Sequence, residues 1–386
     1  MTAPLPANQV MVDDNRLTLY PEGPERLTAL LGLIDGADTS LRLLYYIYRG
    51  DASGDLVRAA LDRALDRGVT VALLVDGFGY AAPEHYFTDL VAKGLRFCRF
   101  HPAFGRRYLI RNHVKLALAD PETEAGRVLI GGFNIEDSYF GTAADNAWRD
   151  LGLMVEGEAV ARLAPYFDQL LAWATTKRGK IRHLNRIVHV HSETRGKLQW
   201  IFGGPTRGLS PWAAATFRDL LAARDVEMIA AYFAPTWAML RRISRVAEKG
   251  RVRIITAAKS DNAATISAAR HTYNRLLRRR VKVYEYAPAK LHSKLVILDD
   301  VVHIGSSNFD IRSFYLNLEM MLRVDDPGFA AMMRAYFEQE CACSTPITRA
   351  VHKQRSTLFN RLRWAASFYL VTSADYSVTR RLNLGV

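Results

Sequence analysis

Apolar positions along this chain alternate between continuous runs and helical spacing, and the alternation occurs twice. LRLLYYIYR (41–49) is apolar nearly throughout, DLVRAALDRALDRG (55–68) is apolar at helical intervals, and VTVALLVDGFG (69–79) is apolar again. That order predicts a buried strand, an amphipathic helix and a second buried strand. In the helix, Leu56, Val57, Ala60, Leu61, Ala64 and Leu65 share one face, Asp62, Arg63, Asp66 and Arg67 face solvent, and Gly68 stands at the expected stop. VEMIAAYFAP, TWAMLRRISRVAEKG and RVRIITAAKSD repeat the order from residue 226 onward, and a further helix and strand follow each time in FTDLVAKGLRFCRF and TYNRLLRRRVKVYEY. Strands alternating with helices imply an α/β lobe with a largely parallel core.

Repetition in the same order predicts two such lobes, α/β/α sandwiches related by a pseudo-twofold axis around one active site. The stretch TTKRGKIRHLNR breaks the apolar periodicity and carries six basic residues, His183 included, which marks it as part of a connection. The expected division is an N-terminal lobe over 1–175, a basic connection over 176–198, a C-terminal lobe over 199–345 and a tail over 346–386.

Length and composition agree with two lobes, since 386 residues that are 49% hydrophobic can bury a large core. Lys and Arg number 52 against 39 Asp and Glu, a net charge of +13, so nucleic acid, anionic lipid or a phosphorylated substrate would be attracted. Charge alone does not choose among them. No uncharged apolar run nears the roughly 20 residues that cross a bilayer, so any membrane contact is expected to be peripheral. The N-terminus shows no basic region followed by an apolar core, which gives a cytoplasmic expectation. Cys98, Cys341 and Cys343 form no even framework and have no zinc spacing, so a reduced compartment and no structural metal are expected.

After the last strand of each repeat stands His-x-Lys, four residues, then Asp: HVKLALAD with His113, Lys115 and Asp120, and HSKLVILD with His292, Lys294 and Asp299. Alternation on a strand would point each His and its Lys into one space. Downstream, LIGGFNI carries Asn134 and HIGSSNF carries Ser306, Ser307 and Asn308, small and polar groups that let a ligand approach closely. Asp150 in WRD and Glu319 in NLE form a third matched pair, each able to fix a histidine tautomer. Displacement at a phosphodiester needs a nucleophile, an acid for the leaving oxygen and positive charge on the nonbridging oxygens. Two histidines supply the first two, and two lysines and two asparagines the third, with no divalent ion. Asp120 and Asp299 lie an odd number of residues past the lysine, near the strand end, and are expected to stabilise a turn. Ser306 is expected to bind phosphate.

These residues resemble the paired HKD motifs of the phospholipase D superfamily. GGFNI with WRDLGLMVEG, and YEYAPAKLHSKLVILDDVVHIGSSNFDIRSFYLNLE, resemble its bacterial cardiolipin synthase branch, a similarity covering residues 17 to 345. The resemblance implies His113 as nucleophile, His292 as acid and base, and Lys115, Lys294, Asn134 and Asn308 around the phosphate. It implies phosphatidyl transfer between phospholipids through a phosphohistidine, with no cofactor; phosphatidylglycerol as donor and acceptor would yield cardiolipin and glycerol. Hydrolysis of the same intermediate, as a phospholipase D or a nuclease, is the alternative, and a catalytically dead anionic-lipid adaptor is a third. A nuclease would favour aromatic stacking platforms along a basic groove, and none is identifiable, so nucleic acid is not the expected partner. Val114 departs from a position where relatives often carry a basic residue, and the N-terminal transmembrane pair of the longest synthases is not seen.

In the tail, Arg349, Lys353, Arg355, Arg361 and Arg363 accompany Leu358, Phe359, Leu362, Trp364, Phe368 and Tyr369. That mixture fits a helix on the inner face of the cell membrane as well as a helix packed on the second lobe with a solvated basic face.

Overall fold

The structure, a computed structural model, describes residues 7–101, 110–176, 179–206 and 208–374. Lys177 and Arg178 of the expected connection and residues 375–386 of the expected tail lie outside the described residues.

Two eight-stranded sheets account for the repeat. The first comprises β1 (Gln9–Val12), β2 (Asn15–Tyr20), β3 (Ser40–Tyr45), β4 (Thr70–Asp76), β5 (Arg96–Phe100), β6 (Leu116–Ala119), β7 (Arg127–Gly131) and β8 (Gly152–Glu156), in the order β1-β2-β8-β7-β6-β3-β4-β5. The second comprises β9 (Leu198–Gly203), β10 (Asp225–Ala230), β11 (Arg251–Ala257), β12 (Lys282–Tyr286), β13 (Lys294–Leu298), β14 (Val301–Gly305), β15 (Glu319–Asp325) and β16 (Ser344–Ile347), in the order β9-β15-β14-β13-β10-β11-β12-β16. Seven positions correspond. The eighth strand is added on opposite edges, β1 beside β2 and β16 beside β12.

The expected largely parallel core is corrected by these sheets. Only β3-β4-β5 and β10-β11-β12 run parallel; every other neighbour pair is antiparallel. The reason lies in the connections: helical crossovers join the parallel strands, whereas β6–β7 and β13–β14 are joined by turns, which reverse direction.

Local chemistry sets the helix limits. α1 (Ala52–Asp66) starts where the Asp51 carboxylate accepts from Gly54 N and ends before Gly68 at φ +84°, a conformation glycine adopts without a Cβ clash. Val57, Ala60, Leu61 and Ala64 are buried, while Leu56 remains 49% exposed, so the buried face is narrower than the pattern suggested. The basic connection is also more structured than expected. Ile181–His191 form a helix that buries Leu184, Ile187 and Val188, an i, i+3, i+4 set obscured by Arg182 and His183 before it and Arg186 within it.

Each sheet buries its outer face under its own helices, but the inner faces share one core. Leu116, Leu118, Val128 and Ile130 of the first sheet cluster with Leu295, Ile297, Val302 and Ile304 of the second. The lobes therefore meet through apolar packing directly beneath the motif residues.

Candidate active site

The His-x-Lys residues arrive at the lobe junction through short backbone bridges that cross it. Trp148–Arg149 of the first half pairs in parallel with Lys290–Leu291, and Asn112 bridges in parallel to Leu318. His292 N donates to Arg149 O and His113 N to Leu318 O, both at 2.8 Å. Each bridge thus sets a histidine beside the residue that follows its partner strand, and that residue is an acid from the other half. His113 Nδ1 lies 3.0 Å from Glu319 Oε2, and His292 Nδ1 lies 2.6 Å from Asp150 Oδ2. A carboxylate at Nδ1 fixes the tautomer with the proton there and leaves the Nε2 lone pair available.

His113 and Lys115 stand just before β6, in extended chain outside the strand itself, and Lys294 is the first residue of β13. Lys115 Nζ donates to His113 O at 2.7 Å, and Lys294 Nζ donates to His292 O. Both ammonium groups are buried, which lowers their affinity for protons: Lys115 falls well below its usual range and Lys294 falls to about 8. Burial likewise pushes His113 down to about 4, with Glu319 opposing and the charges of Lys115 and Lys294 adding to the fall. His292 falls to about 3 through burial and the charge of Lys294, against Asp150. Burial works to raise the Asp150 carboxyl, yet His292 and Lys294 outweigh it and hold it below the usual range. Lys294 thus acts on the histidine of the first half, and Lys115 on that of the second, as expected of one site.

The expected phosphate contacts divide. Asn134 Oδ1 accepts from Ile47 N at 3.0 Å, leaving its amide hydrogens for other partners, and Asn308 Oδ1 is buried with no partner among the described residues. Ser306 is different: its hydroxyl donates to Glu319 Oε2 at 2.5 Å and accepts from Met320 N at 3.1 Å. In this arrangement the hydroxyl proton is engaged by Glu319, so Ser306 supports that carboxylate. At the matching position of the first half stands Gly132, where a Cβ would come within 2.6 Å of Asp150 Oδ1.

Asp120 and Asp299 lie away from this cluster, at the ends of β6 and β13, with φ of +49° and +53°. Asp120 accepts from the backbone of Asp38, Thr39 and Ser40 at 2.7 to 2.9 Å, and Asp299 from Arg224 at 3.1 Å and Asp225 at 2.8 Å. Both carboxylates tie a turn to the start of the neighbouring central strand.

Several surrounding residues were not expected at the site from sequence, Trp148 among them, which reads there as core. Tyr46 lies 5.1 Å from the His113 ring, Tyr139 and Trp148 lie 5.2 and 5.4 Å from His292, and Tyr232 lies 6.3 Å from it. Ser313 Oγ donates to Glu319 Oε1 at 2.8 Å. Buried Arg26 donates to Asp150 O at 2.7 Å and to Tyr139 O at 2.8 Å, holding the backbone of both. None recurs as a matched pair in the two halves: Trp148 stands in WRD and Ser313 between Asn308 and Glu319 without a like residue in the other half, and Arg26 lies in no motif.

Comparison with known proteins places this arrangement. A family model described as cardiolipin synthase, PLD-like domain, matches residues 30–171 and 219–341. The cardiolipin synthase of Listeria monocytogenes serotype 4a is 26% identical over 358 residues, covering 90% of this chain and 73% of that protein. That of Geobacillus kaustophilus is 30% identical over 315 residues, covering 79% of this chain and 62% of that protein, so the chain spans under two thirds of the latter's length. Among solved structures, phosphatidylserine synthase from Haemophilus influenzae Rd KW20 superposes with a TM-score of 0.75 at 14% identity, covering 94% of both chains. At that identity the likeness concerns the fold, and it extends over both lobes. With matches in both halves and the two-lobed architecture that joins them, the chain belongs to the PLD-like domain family of the cardiolipin synthases.

Proposed function

We propose that this protein is a phosphatidyltransferase of the cardiolipin synthase kind, moving a phosphatidyl group between phospholipids through a covalent phosphohistidine. The observation that carries the reading is the crossed pairing of two histidines with two carboxylates beside two buried lysines. The relatives named cardiolipin synthase supply the lipid class; in this proposal phosphatidylglycerol is both donor and acceptor.

In this mechanism Nε2 of neutral His113 attacks phosphorus, the bond to the leaving glycerol oxygen breaks, and His292 Nε2 delivers a proton to that oxygen. The acceptor hydroxyl then gives its proton to His292 and attacks phosphorus, and the bond to His113 breaks. His113 suits the nucleophile role because its side chain is 12% exposed against 5% for His292. Lys115, Lys294, Asn134 and Asn308 stabilise charge on the nonbridging oxygens. In the free site both histidines are neutral at pH 7; the arriving phosphodiester anion offsets the two ammonium charges and raises the affinity of His292 for its proton. Among the described residues no group of three His, Cys, Asp or Glu is placed to hold a metal ion, and none of these steps calls for one. No described helix is long and apolar enough to cross a membrane. In the proposed reading the enzyme meets its lipid at the inner membrane surface.

The test is incubation with phosphatidylglycerol in mixed micelles plus a chelator, following lipids by mass spectrometry beside His113→Ala. Cardiolipin and glycerol formed by the wild type alone are expected. Phosphatidic acid without cardiolipin would replace the transferase reading with a hydrolase.

A further inference from the structure

The C-terminal segment closes on the second lobe with one face and leaves another open. α2 (Ala263–Arg278) receives α3 (Arg349–Arg355) and α4 (Leu358–Tyr369), the latter continuing as a wider turn over Leu370–Ala374. Trp364 and Phe368 are buried on the docked face, where Phe368 and Val371 pack against Ala234 and Ala268. Leu358, Phe359, Leu362, Tyr369 and Leu370 are 57% to 75% exposed. At helical spacing these five form one stripe away from Trp364 and Phe368, and Arg361 and Arg363 fall on its two borders. One helix therefore carries two apolar faces, of which the fold uses one.

Beside the stripe runs a groove of about 970 Å³ between α2 and the two C-terminal helices, lined by Arg278, Arg349, Lys353 and Arg361 with Leu358 and Leu362. Residues 349–374 contain five Lys and Arg and no Asp or Glu. The buried carboxylate beneath, Glu285, is taken by Arg270 and Arg355. Among the described residues no carboxylate pairs with Arg278, Lys353, Arg361 or Arg363. An apolar stripe bordered by uncompensated cations is complementary to a surface that is anionic outside and apolar just beneath.

The place of this surface matters. Ala234 belongs to the short strand Phe233–Ala234, which directly follows Tyr232 beside His292 and pairs with Phe309–Asp310, next to Asn308. Phe368 thus rests on the strand that frames the second half of the site.

We propose that the groove and stripe formed by α2, α3 and α4 dock onto an anionic phospholipid leaflet, phosphates in the groove and the stripe at the acyl boundary, setting the site's rim against the lipid. The choice of lipid rests on the phosphatidyltransferase reading, whereas docking itself needs no turnover, so either can fail alone.

The test is flotation of the full chain with phosphatidylcholine vesicles with and without phosphatidylglycerol, alongside turnover of monomeric dihexanoyl phosphatidylglycerol. Wild type and His113→Ala are expected to bind the anionic vesicles, less as salt rises, and to ignore neutral ones. Lys353→Glu with Arg361→Glu, and separately Leu358→Asn with Phe359→Asn, should each weaken vesicle binding by about tenfold or more while short-chain turnover stays at the wild-type rate. Undiminished vesicle binding by both double variants, or none by the wild type, would overturn the proposal. So would a wild-type dimer that the substitutions dissociate without loss of vesicle binding, because the occupant would then be a second copy. Loss of short-chain turnover in the wild type, with binding intact, would instead count against the catalytic reading.

Discussion

Glu319 meets the histidine of the first motif and Asp150 that of the second, so each half of the chain supplies the carboxylate that faces the other's histidine. Asp150→Asn and Glu319→Gln are therefore expected to cut turnover by about 10- to 100-fold, by loosening tautomer control with the fold intact. The pairing is testable by double substitution on a substrate whose leaving group needs no proton: in a His292→Ala background, Asp150→Asn should cost little more, whereas Glu319→Gln should keep its full factor. The pH dependence follows from the same residues. Folded His113 and His292 bind protons only near pH 4 and 3, below the unfolded value near 6.5, so the unfolded chain takes up protons first and stability falls as pH drops from about 6.5 toward 4. Buried Asp76 and Asp310, pushed up to about 6, act in the opposite sense. The histidine share is accordingly read by difference: urea unfolding at pH 7 and pH 5 should show a smaller loss for His113→Gln than for the wild type. The histidines, lysines and candidate acids were legible because they recur in matched motifs. Which acid serves which histidine was not, because that depends on two backbone bridges joining residues far apart in the chain.

At the scale of elements, the aspartates of the two motifs belong to turns. Asp120→Ala removes backbone bonds to Asp38, Thr39 and Ser40 and should cost about 2–3 kcal/mol of stability, seen as a lower melting temperature, with unchanged turnover per folded molecule. Gly132→Ala should do the reverse, since its Cβ would displace the Asp150 carboxylate: melting is little changed and turnover falls. The strand-helix-strand order was legible from apolar periodicity, and so was the stop at Gly68. Strand direction was misjudged because a buried strand reads alike in a parallel and an antiparallel neighbourhood. The helix Ile181–His191 escaped notice for a related reason, its three buried positions being diluted by basic neighbours.

At the scale of the molecule, the inner faces of the two sheets share a core, so the lobes are expected to unfold together. Tryptophan fluorescence and far-ultraviolet circular dichroism should give coincident denaturation curves; two separated transitions would show lobes that stand alone. One shared core also explains how a duplicated sequence yields a single site, each half holding the other's histidine in place. In the proposed mechanism His113 carries the phosphatidyl group while His292 handles the proton. The most direct measurement uses short-chain phosphatidyl-p-nitrophenol, whose leaving group needs no proton, with His292→Ala. A burst of one p-nitrophenolate per site is expected, with a phosphatidyl adduct mapped by mass spectrometry to His113 and absent from His113→Ala. An adduct on another residue, or steady release with no adduct, would contradict it.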